Sequence, residues 1–197
     1  ARALSAGPVR PDFMEDHVRE VLGLLRRPVQ RRHREAAGAA SLGAAALVLD
    51  GRALWTEIER AADEIVAAGE RAYEGERRRI AAERDVPERA AGAAGWTPED
   101  AEAFRDRVTR AILPVRRTCE ALAEVASKVR EAHALGEATD AAARLWTERL
   151  AAFDRAFADA AVAAGHGVLE AWEEVLLPRL RELATRRGGW RRWLPWG

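Results

Sequence analysis

Apolar residues in this chain recur every three or four positions and do not alternate over any strand-length stretch. That spacing predicts amphipathic helices, because residues three and four apart share one face of a helix, whereas a strand needs a period of two. The longest row is Phe104, Val108, Ile112, Val115, Cys119, Leu122, Ala126, Val129 and His133, with steps of 4, 4, 3, 4, 3, 4, 3 and 4. A near-heptad of this kind predicts a seam facing another helix. A second row, Leu54, Ile58, Ala61, Ile65, Ala68, Ala72 and Ile80, predicts a helix over about 52–84. A third runs from Trp146 through Leu150, Phe153, Phe157, Ala160, Ala164, Val168, Trp172 and Val175 to Leu183. A shorter face of Phe13, Val18, Val21, Leu22 and Leu25 predicts a first helix over about 13–27.

Local signals divide these rows. Gly7, Pro8 and Pro11 make residues 1–12 an extended arm. Pro28 is expected to end or kink the first helix, which resumes at Gln30 and runs through the Ala-rich stretch 36–49. Asp50-Gly51 is a turn signal. Pro87, Gly92 and Gly95 mark a loop over 85–97. Thr97-Pro98-Glu99-Asp100 is a helix start: an N-cap, a proline in the first turn and two acids at the positive end. Gly136 is a C-cap candidate, and Thr139 or Asp140 caps the last helix after a break at 136–139. Pro114 should bend its helix, and Gly165-His166-Gly167 and Pro178 are further kink candidates. The expected architecture is an all-α, elongated antiparallel helical bundle over 13–187 with coiled-coil-like heptad packing. The N-terminal helices form its fourth layer or project from it, and 188–197 is a Trp/Arg-rich tail.

Composition supports helices and excludes little else. At 197 residues, with hydrophobic residues at 48% but aromatics at only 6%, the core must be built largely from Ala and close helix approach. Asn is absent, Gln30 is the only Gln, and Lys128 is the only Lys among 32 basic residues. That bias fits a GC-rich bacterium or its phage, or a warm habitat, since Asn and Gln are thermolabile. The uncharged segment Ala36–Leu49 is about 14 residues, short of the roughly 20 that cross a bilayer, and reads as a buried helix with small-residue packing. No cleavable signal peptide or transmembrane helix is read, so the chain is expected to be soluble, cytoplasmic or built into a larger particle.

The chemistry-bearing patterns are missing. There is no G-x-G-x-x-G, no P-loop, no H-E-x-x-H, no C-x-x-C and no G-x-S-x-G. No Glu-x-x-His pair of the di-iron bundles is present. His17, His33, His133 and His166 are scattered, and His166 with Glu170 makes half a metal site at best. Cys119 falls on a seam and is expected to be a buried, inert thiol; His133 falls on the same seam. The expectation is a non-enzymatic protein with no cofactor, no metal and no small-molecule substrate.

Two basic clusters remain as candidate partner-binding residues. One is Arg26, Arg27, Arg31, Arg32 and Arg34 around Pro28. The other begins at Arg179 and Arg181 and continues through Arg186, Arg187, Trp190, Arg191, Arg192, Trp193 and Trp196. Trp and Arg are favoured anchors of protein interfaces. The same types suit an anionic membrane surface or nucleic acid, although a formal net charge of zero argues against indiscriminate binding to either.

Residues 95–107, Gly95-Trp96-Thr97-Pro98-Glu99-Asp100-Ala101-Glu102-Ala103-Phe104-Arg105-Asp106-Arg107, resemble the turn and second-helix start of the Trp-x-Gly family. Those are small helical-hairpin substrates of type VII (ESX-type) secretion, in which a Trp-x-Gly turn joins two long antiparallel helices. The resemblance implies a helical hairpin over about 52–135. Pro98 stands at the motif's Gly, and Tyr73, the only tyrosine, is followed by Arg77 rather than by the acid of the export signal. The expectation is therefore a helical interaction or structural protein, a subunit or helper of a secretion-system or phage-like assembly, with a protein partner or homo-oligomer. The alternative is a peripheral anionic-membrane or nucleic-acid binder acting through the Arg clusters and the Trp-rich tail.

Overall fold

In a computed structural model, residues 12–84, 86, 91–136 and 139–185 are described. They form an all-α bundle of four long helices: α1 (Asp12–Ala37), α3 (Gly51–Glu83), α4 (Pro98–Ala134) and α5 (Thr139–Ala171). Short α2 (Leu42–Val48) links α1 to α3, and a π turn (Trp172–Leu176) joins α5 to α6 (Leu177–Thr185). There is no strand among the described residues. At 1.5 Å per residue, α4 is about 55 Å long.

Side-chain pairs fix the directions. Arg71 reaches Glu20, and Arg32 reaches Glu57, so α1 and α3 run antiparallel. Arg105–Asp63 and Arg130–Asp50 do the same for α3 and α4. Arg107 pairs with Glu174, and Gly167 rests on Ala111, which sets α4 against α5. α1 also packs on α5, closing the ring, and the α4–α5 contact is the most extensive. The N-terminal helix is thus the fourth member of the bundle rather than a projecting arm.

The seams are buried as their spacing predicts. Every α4 seam residue from Phe104 to Val129 is buried, as are Leu54, Ile58, Ala61, Ile65, Ala68 and Ile80 of α3. On α5, Trp146, Phe153, Phe157, Ala160, Ala164 and Val168 are buried. Both connections work as expected where they are described. Thr97 Oγ1 accepts from Asp100 N at 3.2 Å while Asp100 Oδ2 accepts from Thr97 N at 3.0 Å, a complete capping box. Gly136 takes φ +66°, the left-handed conformation that ends a helix most easily as Gly.

Several expectations need correction. Pro28 does not end α1, which continues to Ala37. Burial of Leu25 and Val29 on either side offsets the backbone hydrogen bond that the proline removes. The Ala-rich stretch is not one buried helix. It breaks at residues 38–41, where Ser41 caps α2 by accepting from Ala44 N, and within 36–49 only Ala46 and Leu49 are buried. His133 is exposed rather than on the seam, its ring against Gly43 of α2. Gly165-His166-Gly167 stays α-helical. The two glycines let neighbours approach: a Cβ at Gly167 would sit 2.7 Å from Ala111 Cβ, and one at Gly165 would sit 3.3 Å from Val18 Cγ1. The irregularity falls at the π turn instead. Pro178 has no N–H for the carbonyl four residues back and crowds it, and the widened turn lies just before it.

The α1 face is rotated from its predicted position. His17, Val21, Leu24, Leu25 and Val29 point inward, while Phe13, Val18 and Leu22 are only half-buried. His17 enters an aromatic cluster at one end of the bundle. Trp172, fully buried, meets Phe13 edge-on at 5.0 Å, His17 at 5.6 Å and Phe104 at 5.8 Å between ring centroids. Trp96 joins this cluster edge-on to Tyr73 and Phe104, each at 5.6 Å.

Candidate interaction site

The first Arg cluster does not form a free cationic patch. Arg32 is mostly buried: its guanidinium donates to Glu57 Oε1 at 2.6 Å and to the Val48 carbonyl at 2.6 Å, tying α1 to α3 and to the end of α2. Arg31 also engages Glu57, and lies 3.8 Å from Glu35. Arg34 donates to the Gln30 carbonyl of its own helix. Arg26, Arg27 and Arg34 are exposed and form no ion pair among the described residues. His33 of the same helix brings Nε2 within 3.0 Å of Asp154 Oδ1 on α5, but without the geometry of a hydrogen bond.

The second cluster is divided. Arg179 forms an ion pair of 2.7 Å with buried Asp100, fastening α6 to the capping box of α4. Arg181 is exposed. Arg186, Arg187, Trp190, Arg191, Arg192, Trp193 and Trp196 lie outside the described residues, as does the arm before Asp12.

The loop before α4 is clasped by one turn of α3. Tyr73 donates its hydroxyl to the Ala94 carbonyl at 2.6 Å, and burial pushes its pKa up to about 12. Glu74 accepts from Trp96 N–H at 3.1 Å, and Arg77 donates to the Ala91 carbonyl at 2.9 Å. Burial works to raise the Glu74 pKa, but the bonds from Arg77 and Trp96 outweigh it and hold the carboxyl below its ordinary value. These are structural duties. Cys119 has the same character: it is buried, and desolvation pushes its thiol up to about 12, so it is a poor nucleophile.

Two surface grooves flank α4, and they differ in charge. The groove toward α3, about 860 Å³, contains Trp55 with Arg116 stacked 5.9 Å from its ring centroid. Its charges balance: Arg52, Arg116, Lys128 and Arg130 face Asp50, Glu120, Glu124 and Glu131, and several are already paired. The groove toward α5, about 480 Å³, has an apolar floor of Leu122, Val125 and Phe153 with Leu145 at its edge. Its cations, Arg117, Lys128 and Arg149, form no ion pair among the described residues, and Glu124 is its one acid. Sequence reasoning did not find this groove. Apart from Leu122 and Phe153, its residues lie off the buried seams, where Ala121, Ala152 and Ala156 read simply as good helix formers.

The described residues contain no group of three or more His, Cys, Asp or Glu side chains placed to hold a metal ion, and no helix long and apolar enough to cross a membrane. No family model, curated protein or solved structure matches the chain.

Proposed function

We propose that this chain is a non-enzymatic helical interaction protein, a subunit or helper of a larger assembly, with the α4–α5 hairpin as its contact surface. One observation carries the reading. Of the five large apolar side chains exposed among the described residues, four belong to this hairpin: Leu113, Leu135, Leu145 and Val162, with Leu47 on α2 the exception. Scattered exposed leucines need no explanation, but concentration on one pair of helices beside an apolar groove marks a contact surface. The type VII kinship suggested by residues 95–107 belongs to the same proposal. It is supported by α3 and α4 running antiparallel on either side of Trp96, and Pro98 at the first turn of α4 departs from it.

The test is site-specific photo-cross-linking in the cells that make the protein. A photoreactive residue at Ala121, beside the groove, should give a discrete adduct, either with another protein or with a second copy. The same residue at Glu59, on the outward side of α3, should give none. Absence of adducts from Ala121, or equal adducts from both positions, would overturn the reading.

A further inference from the structure

We propose that the α4–α5 groove binds an acidic amphipathic helix of a partner protein; this rests on the hairpin being the contact surface. The groove has the length for it. Its α4 wall runs from Arg117 to Lys128 and its α5 wall from Leu145 to Ala156, each about 16 Å, or three turns of helix. The depth also fits. Ala121, Ala152 and Ala156 carry no side chain beyond Cβ, so an incoming helix can approach to the usual 8–10 Å between axes. Leu122, Val125 and Phe153 then meet an apolar stripe spaced i, i+4, i+7.

Charge selects the partner. Arg116, one residue from Arg117, is held by Glu120 and stacks on Trp55, whereas Arg117, Lys128 and Arg149 have no carboxylate among the described residues. Cations flanking an apolar floor complement carboxylates flanking an apolar stripe. Continuing the register set by Arg107–Glu174 and Ala111–Gly167 brings Arg149 near Lys128, with Arg117 toward the opposite end. Both ends of a three-turn acidic helix would therefore find a cation. Single-stranded nucleic acid is disfavoured because the only aromatic ring in this groove, Phe153, is buried in the floor and offers no stacking platform. A bilayer is disfavoured because the apolar side chains line a trench instead of a raised face.

The probe is a fluorescein-labelled 18-residue helical peptide with Leu at i, i+4, i+7 and i+11 and Glu on both flanks. A twin with Lys in place of Glu is the control. Fluorescence anisotropy with the whole chain should show saturable binding of the Glu peptide, several-fold weaker in 300 mM than in 50 mM salt, and at least tenfold weaker binding of the Lys twin. Arg117→Glu with Arg149→Glu should invert the preference. Both side chains are exposed and unpaired, so the melting temperature should hold; Lys128→Glu alone should weaken the Glu peptide severalfold. Equal binding of the twins, no binding at 50 mM salt, or an unchanged preference in a folded double variant would overturn the proposal. If Ala121 gives an adduct that excess Glu peptide does not displace, the hairpin reading stands and the acidic helix falls. If the Glu peptide binds selectively but Ala121 gives no adduct in cells, the groove chemistry stands and the assembly role falls.

Discussion

The indole Nε1–H of Trp172 donates to Nδ1 of His17 at 2.7 Å, joining the π turn to the first helix across 155 positions of sequence. Because Nδ1 accepts, the ring proton sits on Nε2, which lies 3.1 Å from the Ile65 carbonyl and donates to it. Gly69 makes room: a Cβ there would lie 3.3 Å from His17 Cε1 and 2.8 Å from Phe104 Cε1. One neutral imidazole therefore ties α1, α3 and the end of α5 together inside the aromatic cluster.

Trp172→Phe keeps a ring but removes the donor, leaving His17 Nδ1 buried without a partner. The expected cost is about 1–3 kcal/mol, read as a lower urea midpoint at pH 7.5. His17 should also make stability depend on pH. Burial lowers its pKa below 6.5, with the Ile65 carbonyl and Glu20 pulling it back up and Arg71 adding to the fall. The unfolded chain binds a proton near pH 6.5 and the folded chain does not, so this stability is complete above 6.5 and is lost as pH falls below it. His17→Gln should show a smaller drop in urea midpoint between pH 7 and 5.5 than the parent; an equal drop would remove His17 from this role.

Two glycines in α3 should respond oppositely to alanine. A Cβ at Gly51 would lie 1.9 Å from the Cys119 carbonyl oxygen and 2.7 Å from Ala123 N, so the start of α3 would have to lift off α4. Gly51→Ala should destabilise by about 1–3 kcal/mol. Gly75 has nothing within 4 Å, and Gly75→Ala should stabilise by up to about 1 kcal/mol through helix propensity. Thermal melts of the pair check both signs.

Within the first Arg cluster the structural load is uneven. Arg32→Ala removes bonds to Glu57 and to the Val48 carbonyl at a mostly buried position, and should cost about 1–3 kcal/mol. Arg26→Ala and Arg27→Ala should stay within about 0.5 kcal/mol. Chemical denaturation of the three variants distinguishes a fastener from a solvated surface.

The legible parts of the fold were those carried by spacing and local caps. The α4 seam and the Thr97–Asp100 box needed only nearest neighbours in sequence, and both formed. The seam failed at His133, which stays exposed with its ring against Gly43 of α2, a residue with no side chain beyond Hα to pack on it. Val21 and Leu25 were legible on the α1 face, but Pro28 reads as a stop, and nothing local reveals that the helix would run on to bury Val29 beyond it. His17 was illegible as a core residue, since its partners are Ile65 and Trp172, far away in sequence. The α4–α5 groove is defined by small side chains beside the seams. A faint signal was available: the spacing of Arg117, Ala121, Val125 and Lys128 repeats a helical row with cations at its ends.

Asp100 serves two partners, the Thr97 backbone and Arg179. Asp100→Ala should cost more than Thr97→Ala, which loses about 1 kcal/mol as a cap. A double-mutant cycle of Asp100→Ala with Arg179→Ala should give a coupling of roughly 0.5–3 kcal/mol, and additivity would mean that the α6 fastening is inert.

If the outward side of the α4–α5 hairpin contacts a partner while the interior holds the fold, the two can be perturbed separately. A melting curve paired with the photo-cross-link from Ala121 in an Ala152→Glu variant does this. Ala152 is exposed and lines the groove, so a carboxylate there disturbs the groove and not the core. The melting temperature should be unchanged and the adduct lost. An adduct that forms undiminished in the folded variant would contradict that contact.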